Sequence, residues 1–239
     1  MKIDISSEEF DSYSMTKKKL YVARLFIKNS GAIPVSSNEP PVAIIMAGLP
    51  GAGKTEFLES IVEDQKASGM PPFLRIDLDE IVSVYPSYTP KDYYKFRNQG
   101  NLILAKTIDE GRRSRLNMLI DGTFSGLSGA SVDGIGLLLH AGYKVRLVYM
   151  YDNAETAWSY TQKREQETGR GIELEGFKRA ANNLVDNIKK AFTLYSESDN
   201  FSINVVVQKK LRDKSYNIIT QKKEVEKAIQ LSYNVDTIT

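Results

Sequence analysis

Short apolar runs alternate with longer amphipathic stretches along most of this chain. Residues 41–47 (PVAIIMA) are a continuous apolar run of strand length. Before them, residues 31–41 carry Gly, Ser, Asn and Pro and read as a linker. Residues 54–67 have helical periodicity, 72–77 (PFLRID) read as a second strand, and a helical region spans 90–115. A third strand is expected at 117–121 (NMLID), a helix over 131–141 and a fourth strand at 143–151 (YKVRLVYMY). Helices over 154–168 and 174–195 precede a fifth strand at 201–208 (FSINVVVQ). Apolar strands alternating with helices predict an α/β fold: a doubly wound, mostly parallel sheet of about five strands flanked by helices on both faces.

Upstream, residues 6–30 read as one helix, with Ser6 and Glu9 as a capping box and Leu20, Ala23, Leu25 and Phe26 as its apolar stripe. The chain thus divides into an N-terminal helix and linker (1–40), a core (41–208) and a C-terminal extension packed on the core (209–239). Lys209, Lys210, Arg212 and Lys214 form a basic cluster in that extension, a solvated hairpin or loop on one reading and a patch for an acidic partner on another.

With 239 residues and 41% hydrophobic content, the chain is long enough for one sizeable core, or one core with a small appendage. The net charge of +2 gives no bulk electrostatic case for nucleic acid. No apolar run has transmembrane length, and the polar, acidic first residues are unlike a secretory signal, so a cytoplasmic protein with no membrane partner is expected. The absence of cysteine removes disulfides, thiol nucleophiles and Cys-based metal sites, and the single histidine, His140, removes a His-rich zinc site. A metal would need oxygen ligands, which suits Mg²⁺. His140 closes the apolar run 137–139 and reads as a packed or capping residue, and Trp158 as packing.

The strongest chemical signal is residues 48–55, GLPGAGKT, which match G-x-x-x-x-G-K-[ST] in full between a strand and a helix. Glycines let such a loop turn its N–H groups inward onto phosphate oxygens at a helix N-terminus. The expected nucleotide-binding stretch is Gly48, Pro50, Gly51, Ala52, Gly53, Lys54, Thr55 and Glu56. Lys54 would reach the β- and γ-phosphates, and Thr55 would place its hydroxyl on Mg²⁺. The fold this implies is a P-loop NTPase or kinase, with ATP (or GTP) and Mg²⁺ as cofactors.

A loop of this kind does not separate kinases from hydrolases or switches, so other residues must. Asp77 and Asp79 close the second strand, where spacing of two would put both carboxylates on one side. Asp79 is a candidate general base for an acceptor hydroxyl, or else a helix N-cap; Asp77 is a weaker candidate with structural or metal-shell alternatives. Asp121 and Thr123 close the third strand. Apolar residues ending in Asp resemble a Walker B element that holds the metal shell, and the same Asp-Gly-Thr turn could bind an acceptor or be an ordinary turn. Arg164 and Arg170 bracket Gly169, a natural helix stop, and could close over a triphosphate or pair with Glu165 and Glu167 on the surface. Arg112, Arg113 and Arg115 read as a solvated helix face. Tyr85, Tyr88, Tyr93 and Tyr94 offer stacking surfaces to an acceptor, or core.

Taken together, these pieces resemble the zeta-toxin family of P-loop kinases. The likeness runs over roughly 43–192: the loop 48–55, the stretch Ile76–Asp79 with Pro86 and Tyr88 after it, Ile120–Thr123, and Tyr160 through Arg164 to Arg170. The resemblance implies ATP or GTP binding and phosphorylation of a UDP-activated amino sugar, typically UDP-N-acetylglucosamine, at the sugar's 3′-hydroxyl. It also implies an antitoxin partner. Carried over, Lys54 and Thr55 bind ATP and Mg²⁺, Asp79 is the base, Asp121 and Thr123 contact the acceptor, and Arg164 and Arg170 clamp phosphate. The family usually has Glu–Gly–Thr where this chain has Asp121–Thr123. Its acidic acceptor-binding residue should fall near Ala105, where neither Ala105 nor Lys106 is acidic. The alternatives are a P-loop kinase of another acceptor (a nucleic-acid end, a nucleoside or an antibiotic) or an NTP-driven switch without acceptor chemistry.

Overall fold

The computed structural model describes residues 12–126, 130–208, 216–230, 233–235 and 238. The elements, in chain order, are α1 (Met15–Ser30), β1 (Val42–Gly48), α2 (Lys54–Ala67), β2 (Leu74–Ile76), α3 (Leu78–Val82), a 3₁₀ turn (Pro90–Asp92) and α4 (Tyr93–Arg113). Then come β3 (Met118–Ile120), α5 (Val132–His140), β4 (Lys144–Tyr151), α6 (Ala154–Thr168), α7 (Leu174–Tyr195), β5 (Phe201–Gln208), β6 (Tyr216–Ile219) and α8 (Lys222–Ile229).

The strands form one six-stranded sheet in the order β2-β3-β1-β4-β5-β6. All neighbours are parallel except β5 and β6. The sheet therefore has one strand more than the hydrophobic pattern predicts. β6 was hidden because Asn217 and Ile218 are exposed and the strand is only four residues long, so it lacks the apolar run of a buried strand. The central strand β1 is buried at every residue after Val42, as expected of a parallel strand covered on both faces.

Helix ends follow their local chemistry. Asn153 caps α6, its Oδ1 accepting from the N–H groups of Glu155 (2.8 Å) and Thr156 (3.3 Å), and Gly169 ends that helix in the left-handed region at φ 76°. Helix α7 buries Phe177, Ala181, Leu184, Val185, Ile188 and Ala191, a stripe at helical spacing. Burying each of its larger apolar side chains is worth about 1.5–3 kcal/mol. Helix α1 begins at Met15 with Ser14 as its cap and packs on α4 through Val22, Ala23 and Phe26. The expected Ser6–Glu9 capping box lies outside the described residues, as does the basic cluster Lys209, Lys210, Arg212 and Lys214.

The linker before β1 is held in place. Arg115, at φ 53°, donates to the carbonyls of Val35 (3.4 Å), Ser36 (2.9 Å) and Glu39 (2.6 Å), and Asn117 Oδ1 accepts from Val42 N at 2.8 Å. Arg115 is thus a structural strut, whereas Arg112 and Arg113 pair with Asp109 on the helix surface. At the other end of the chain, Tyr233 lies stacked on Tyr151 with ring centroids 5.6 Å apart, and the Tyr149 hydroxyl donates to the Tyr233 hydroxyl at 2.9 Å.

Candidate functional site

The strand register gathers the site residues at the carboxyl ends of β1, β2 and β3. Ile45, Ile120 and Ile76 lie side by side across these strands. Asp77 and Asp121 therefore come next to one another one residue further on, where Asp121 N donates to Ile76 O at 2.9 Å. Strand β1 runs on to Gly48, and the phosphate loop follows directly. This is where an open α/β sheet places its ligands.

In the loop, Gly51 and Gly53 take the left-handed backbone of a tight turn, while Gly48, expected to join the nucleotide-binding stretch, does not border the cleft. Gly51 stands at φ 83°, and a Cβ there would collide with the Ala157 carbonyl oxygen at the start of α6. Gly53 caps α2 at φ 75°. The Lys54 ammonium donates to the carbonyls of Gly48 (3.1 Å) and Leu49 (2.8 Å). Loss of solvent pulls the Lys54 pKa down to about 8; Asp121 opposes this, and the nearby Arg164 and Arg170 add to it. Two cations from outside the loop, Arg164 and Arg170, thus act on Lys54.

Arg164 and Arg170 do not make the surface pairs that were the alternative for them. Glu167 takes Lys163, at 3.7 Å, and Arg170 forms an ion pair with Asp79. The Arg164 Nε is buried with no hydrogen-bond partner. A buried guanidinium N–H left open at the edge of a cleft calls for an acceptor from a ligand.

Asp77 and Asp79 differ from the expectation. They do not share one side of a strand, because β2 ends at Ile76. Asp77 caps α3 instead, its Oδ1 accepting from Asp79 N at 2.8 Å, while Asp79 sits in the helix's first turn and reaches Arg170. The N-cap reading was right in kind but falls on Asp77. Burial raises the Asp77 pKa, against the pull of Arg75 and Arg170. Burial and the neighbouring Asp77 push Asp121 up to about 6, against Lys54 and Arg75.

Together these groups line a cleft of about 1000 Å³. Lys54, Thr55, Glu56, Asp77, Asp79, Asp121, Thr123, Arg164 and Arg170 all border it, as do Pro50, Gly51, Ala52 and Gly53 of the loop. The Thr123 and Ser125 hydroxyls lie 2.7 Å apart, and Asn187 Nδ2 holds Phe124 O at 2.9 Å, which fixes this turn. Among the described residues no group of three or more His, Cys, Asp and Glu could hold a metal ion. Thr55 and Asp121 both border the cleft, and oxygens of their kind are what a cation takes alongside phosphate and water.

Some cleft residues were not singled out from sequence. The α4 wall presents Arg97, Asn101 and Leu104 to the cleft. Ala105, near which the family resemblance placed an acceptor contact, is exposed and outside that wall, and Lys106 is engaged by Asp109 (3.3 Å) and Glu110 (2.8 Å). Arg97, Asn101 and Leu104 stand at i, i+4 and i+7 on one face of α4; Ala105, one turn beyond Asn101 at the edge of that face, is exposed and does not border the cleft. Of the four tyrosines, Tyr93 and Tyr94 border the cleft, while Tyr85 and Tyr88 pack against Phe96. Trp158 packs on Phe177, with centroids 5.2 Å apart. His140 ends α5 but is exposed rather than packed.

No described helix is long and apolar enough to cross a membrane. A search of curated protein sequences finds no significant match. Solved structures do share the fold. One, from a study of the PezAT chromosomal toxin–antitoxin system of Streptococcus pneumoniae, has a TM-score of 0.61 at 21% identity, covering 91% of this chain and 88% of that one. The AvrRxo1-ORF1:-ORF2 complex has a TM-score of 0.58 at 11% identity, covering 96% and 72%. The same complex with ATP gives 0.58 at 12%, covering 94% and 72%. The zeta toxin family profile matches residues 29–221, a span that holds the phosphate loop, the carboxylates at the strand ends and both cleft arginines. With that span, and with its P-loop, kinase-like fold, the chain belongs to the zeta toxin family.

Proposed function

We propose that this protein is a phosphotransferase that moves the γ-phosphate of ATP to a hydroxyl of a small acceptor. The observation that carries the reading is the convergence of Lys54, Arg164 and Arg170 on one cleft, with the Asp79 carboxylate beside them. A nucleotide switch needs the phosphate loop; it does not need a carboxylate and an extra pair of arginines facing it.

In the proposed reaction the acceptor oxygen attacks the γ-phosphorus, the bond to the β–γ bridging oxygen breaks, and ADP leaves. Asp79 takes the proton of the acceptor hydroxyl. The loop N–H groups and Lys54 hold the β- and γ-phosphates, and Arg164 and Arg170 meet charge that builds on the equatorial oxygens. Thr55 and Asp121 would hold Mg²⁺, which neutralises phosphate charge when bound. Asp121 and Thr123 face the acceptor side. The family resemblance points to a UDP-activated amino sugar as acceptor, and GTP could replace ATP at the same loop.

The AvrRxo1 complex solved with ATP supports a nucleotide in this cleft. The PezAT system is a toxin with an antitoxin, which supports an antitoxin partner here. We place the chemistry in a core over 41–208, with 1–40 and 209–239 as appended segments, and the protein in the cytoplasm.

The test is mass spectrometry of a metabolite pool incubated with the protein and Mg-ATP. A new phosphorylated metabolite is the expected result. Release of ADP and inorganic phosphate alone would overturn the reading in favour of a hydrolase or switch.

A further inference from the structure

The turn that carries Arg170 rests on the N-terminal end of α4 and the 3₁₀ turn before it. The Lys91 stem lies against Gly169, where a Cβ would meet its Cγ at 3.1 Å. The Tyr94 hydroxyl points to Gly171 O at 3.4 Å. The guanidinium carbon of Arg170 stands 4.3 Å from the centroid of the Tyr93 ring, and that ring meets Tyr94 edge-on, with centroids 5.5 Å apart at 77°. The same guanidinium pairs with Asp79.

We propose that Tyr93 is a positioning residue for Arg170: its ring face fixes the plane of the guanidinium between the Asp79 carboxylate and the phosphates. The inference rests on the phosphotransferase reading and adds to it a residue that no part of that reading uses.

The backbone at Arg170 explains the need for such a residue. Arg170 follows a glycine that ends α6 and precedes a second glycine, Gly171, so no helix fixes its direction. The ion pair to Asp79 anchors one edge of the side chain but leaves its plane free to turn. An aromatic face removes that freedom, because a weakly hydrated, planar guanidinium stacks on it. The transferring phosphoryl group needs the plane set, since paired N–H groups must meet paired oxygens. Arg170 covers one face of the ring, so an acceptor base or sugar could stack only on the other.

The test follows label from γ-labelled Mg-ATP into a small-molecule metabolite extract. Wild type and Tyr93→Phe should transfer within about twofold of each other. Tyr93→Leu should lose roughly threefold to thirtyfold in rate at saturating ATP, the range spanned by cation–π contacts, with little change in KM for ATP. In an Arg170→Ala background, Tyr93→Leu should cost nothing further. Equal losses in the Phe and Leu variants would assign the role to the hydroxyl and overturn the proposal. A loss that persists without Arg170 would mean that the ring serves the acceptor or the fold, and overturn it too. Melting curves by circular dichroism check folding, and Tyr93→Met takes the place of Tyr93→Leu if the latter melts below assay temperature. If wild type labels nothing, the phosphotransferase reading itself falls and this one with it; if wild type labels and the variants break the pattern, only the role of Tyr93 falls.

Discussion

Residues 50–56 supply one wall of the cleft from a single stretch of chain, whereas the facing wall draws Asp79 from α3, Tyr93 from α4, Arg164 from α6 and Arg170 from the turn beyond it. The first wall is fixed by backbone: a strand end, a loop of restricted dihedrals and a helix start. The second is fixed by side-chain contacts between elements that are far apart in sequence. Backbone N–H groups suit ground-state phosphate, which needs a constant cradle. Side chains on separate elements suit charge that appears only during transfer. The comparison predicts that damage to the first wall removes the reaction, while damage to the second slows it without emptying the site.

The largest effect should come from the loop. Lys54→Ala is expected to abolish transfer and leave folding nearly intact. The ammonium sits where its charged form is already disfavoured, at a pKa of about 8, so its removal costs the fold little. Phosphate transfer to the metabolite pool and a thermal melt read the two halves separately. Wild-type turnover in this variant would show that the nucleotide lies elsewhere.

Next is the candidate base on the facing wall. Asp79→Asn should bind ATP and transfer more slowly by roughly 10²–10⁴-fold, the usual cost of losing a general base. Weakened Mg-ATP binding would move Asp79 into the metal shell instead. Near-normal kinetics would leave it as the anchor of Arg170 and nothing more.

Arg164→Ala and Arg170→Ala sharpen the comparison most directly. Interactions that strengthen in the transition state lower kcat and spare KM. Each arginine is expected to cost up to about 10³-fold in kcat, with KM for ATP nearly unchanged. A solvent-exposed pair would contribute about 0–1 kcal/mol to stability and nothing to rate. Losses below about threefold in both, on a scale where tenfold is 1.4 kcal/mol, would make them ordinary charges.

The same contrast explains what could be read from sequence. The loop and α2 follow from spacing because a phosphate cradle is a local object. Helices α6 and α7 were legible to the residue, since Asn153, Gly169 and the stripe from Phe177 to Ala191 are local signals as well. The place of Asp79 was not legible, because three residues of β2 and an N-cap at Asp77 look like one longer strand. Nor was the α4 wall: Asn101 and Ala105 are one turn apart on the same side of the helix, and only packing decides that Asn101 borders the cleft while Ala105 is exposed. Tyr93 shared a tyrosine-rich stretch with Tyr85 and Tyr88, and only packing separates the ring under Arg170 from the rings against Phe96.

The smallest expected effect concerns Asp121, on the floor between the walls. Its pKa stands at about 6, raised by burial and by Asp77. A carboxyl that is harder to ionise in the folded state binds its proton more tightly there than in the unfolded chain, where about 3.9 is usual. The stability this contributes is complete below pH about 4 and is lost as pH rises through about 6. At neutral pH the charged carboxylate therefore costs the fold something on the order of 1–3 kcal/mol. Asp121→Asn removes the charge and should be more stable than wild type at pH 8, with the difference shrinking towards pH 4. Urea midpoints at a series of pH values measure this. The gain should come with a loss: if the carboxylate is kept to hold the cation of Mg-ATP, the stabilisation that Mg-ATP gives should be smaller in the variant. A pH-independent difference would mean that water reaches the floor and screens it. An undiminished Mg-ATP stabilisation would take Asp121 out of the metal shell and leave it on the acceptor side with Thr123.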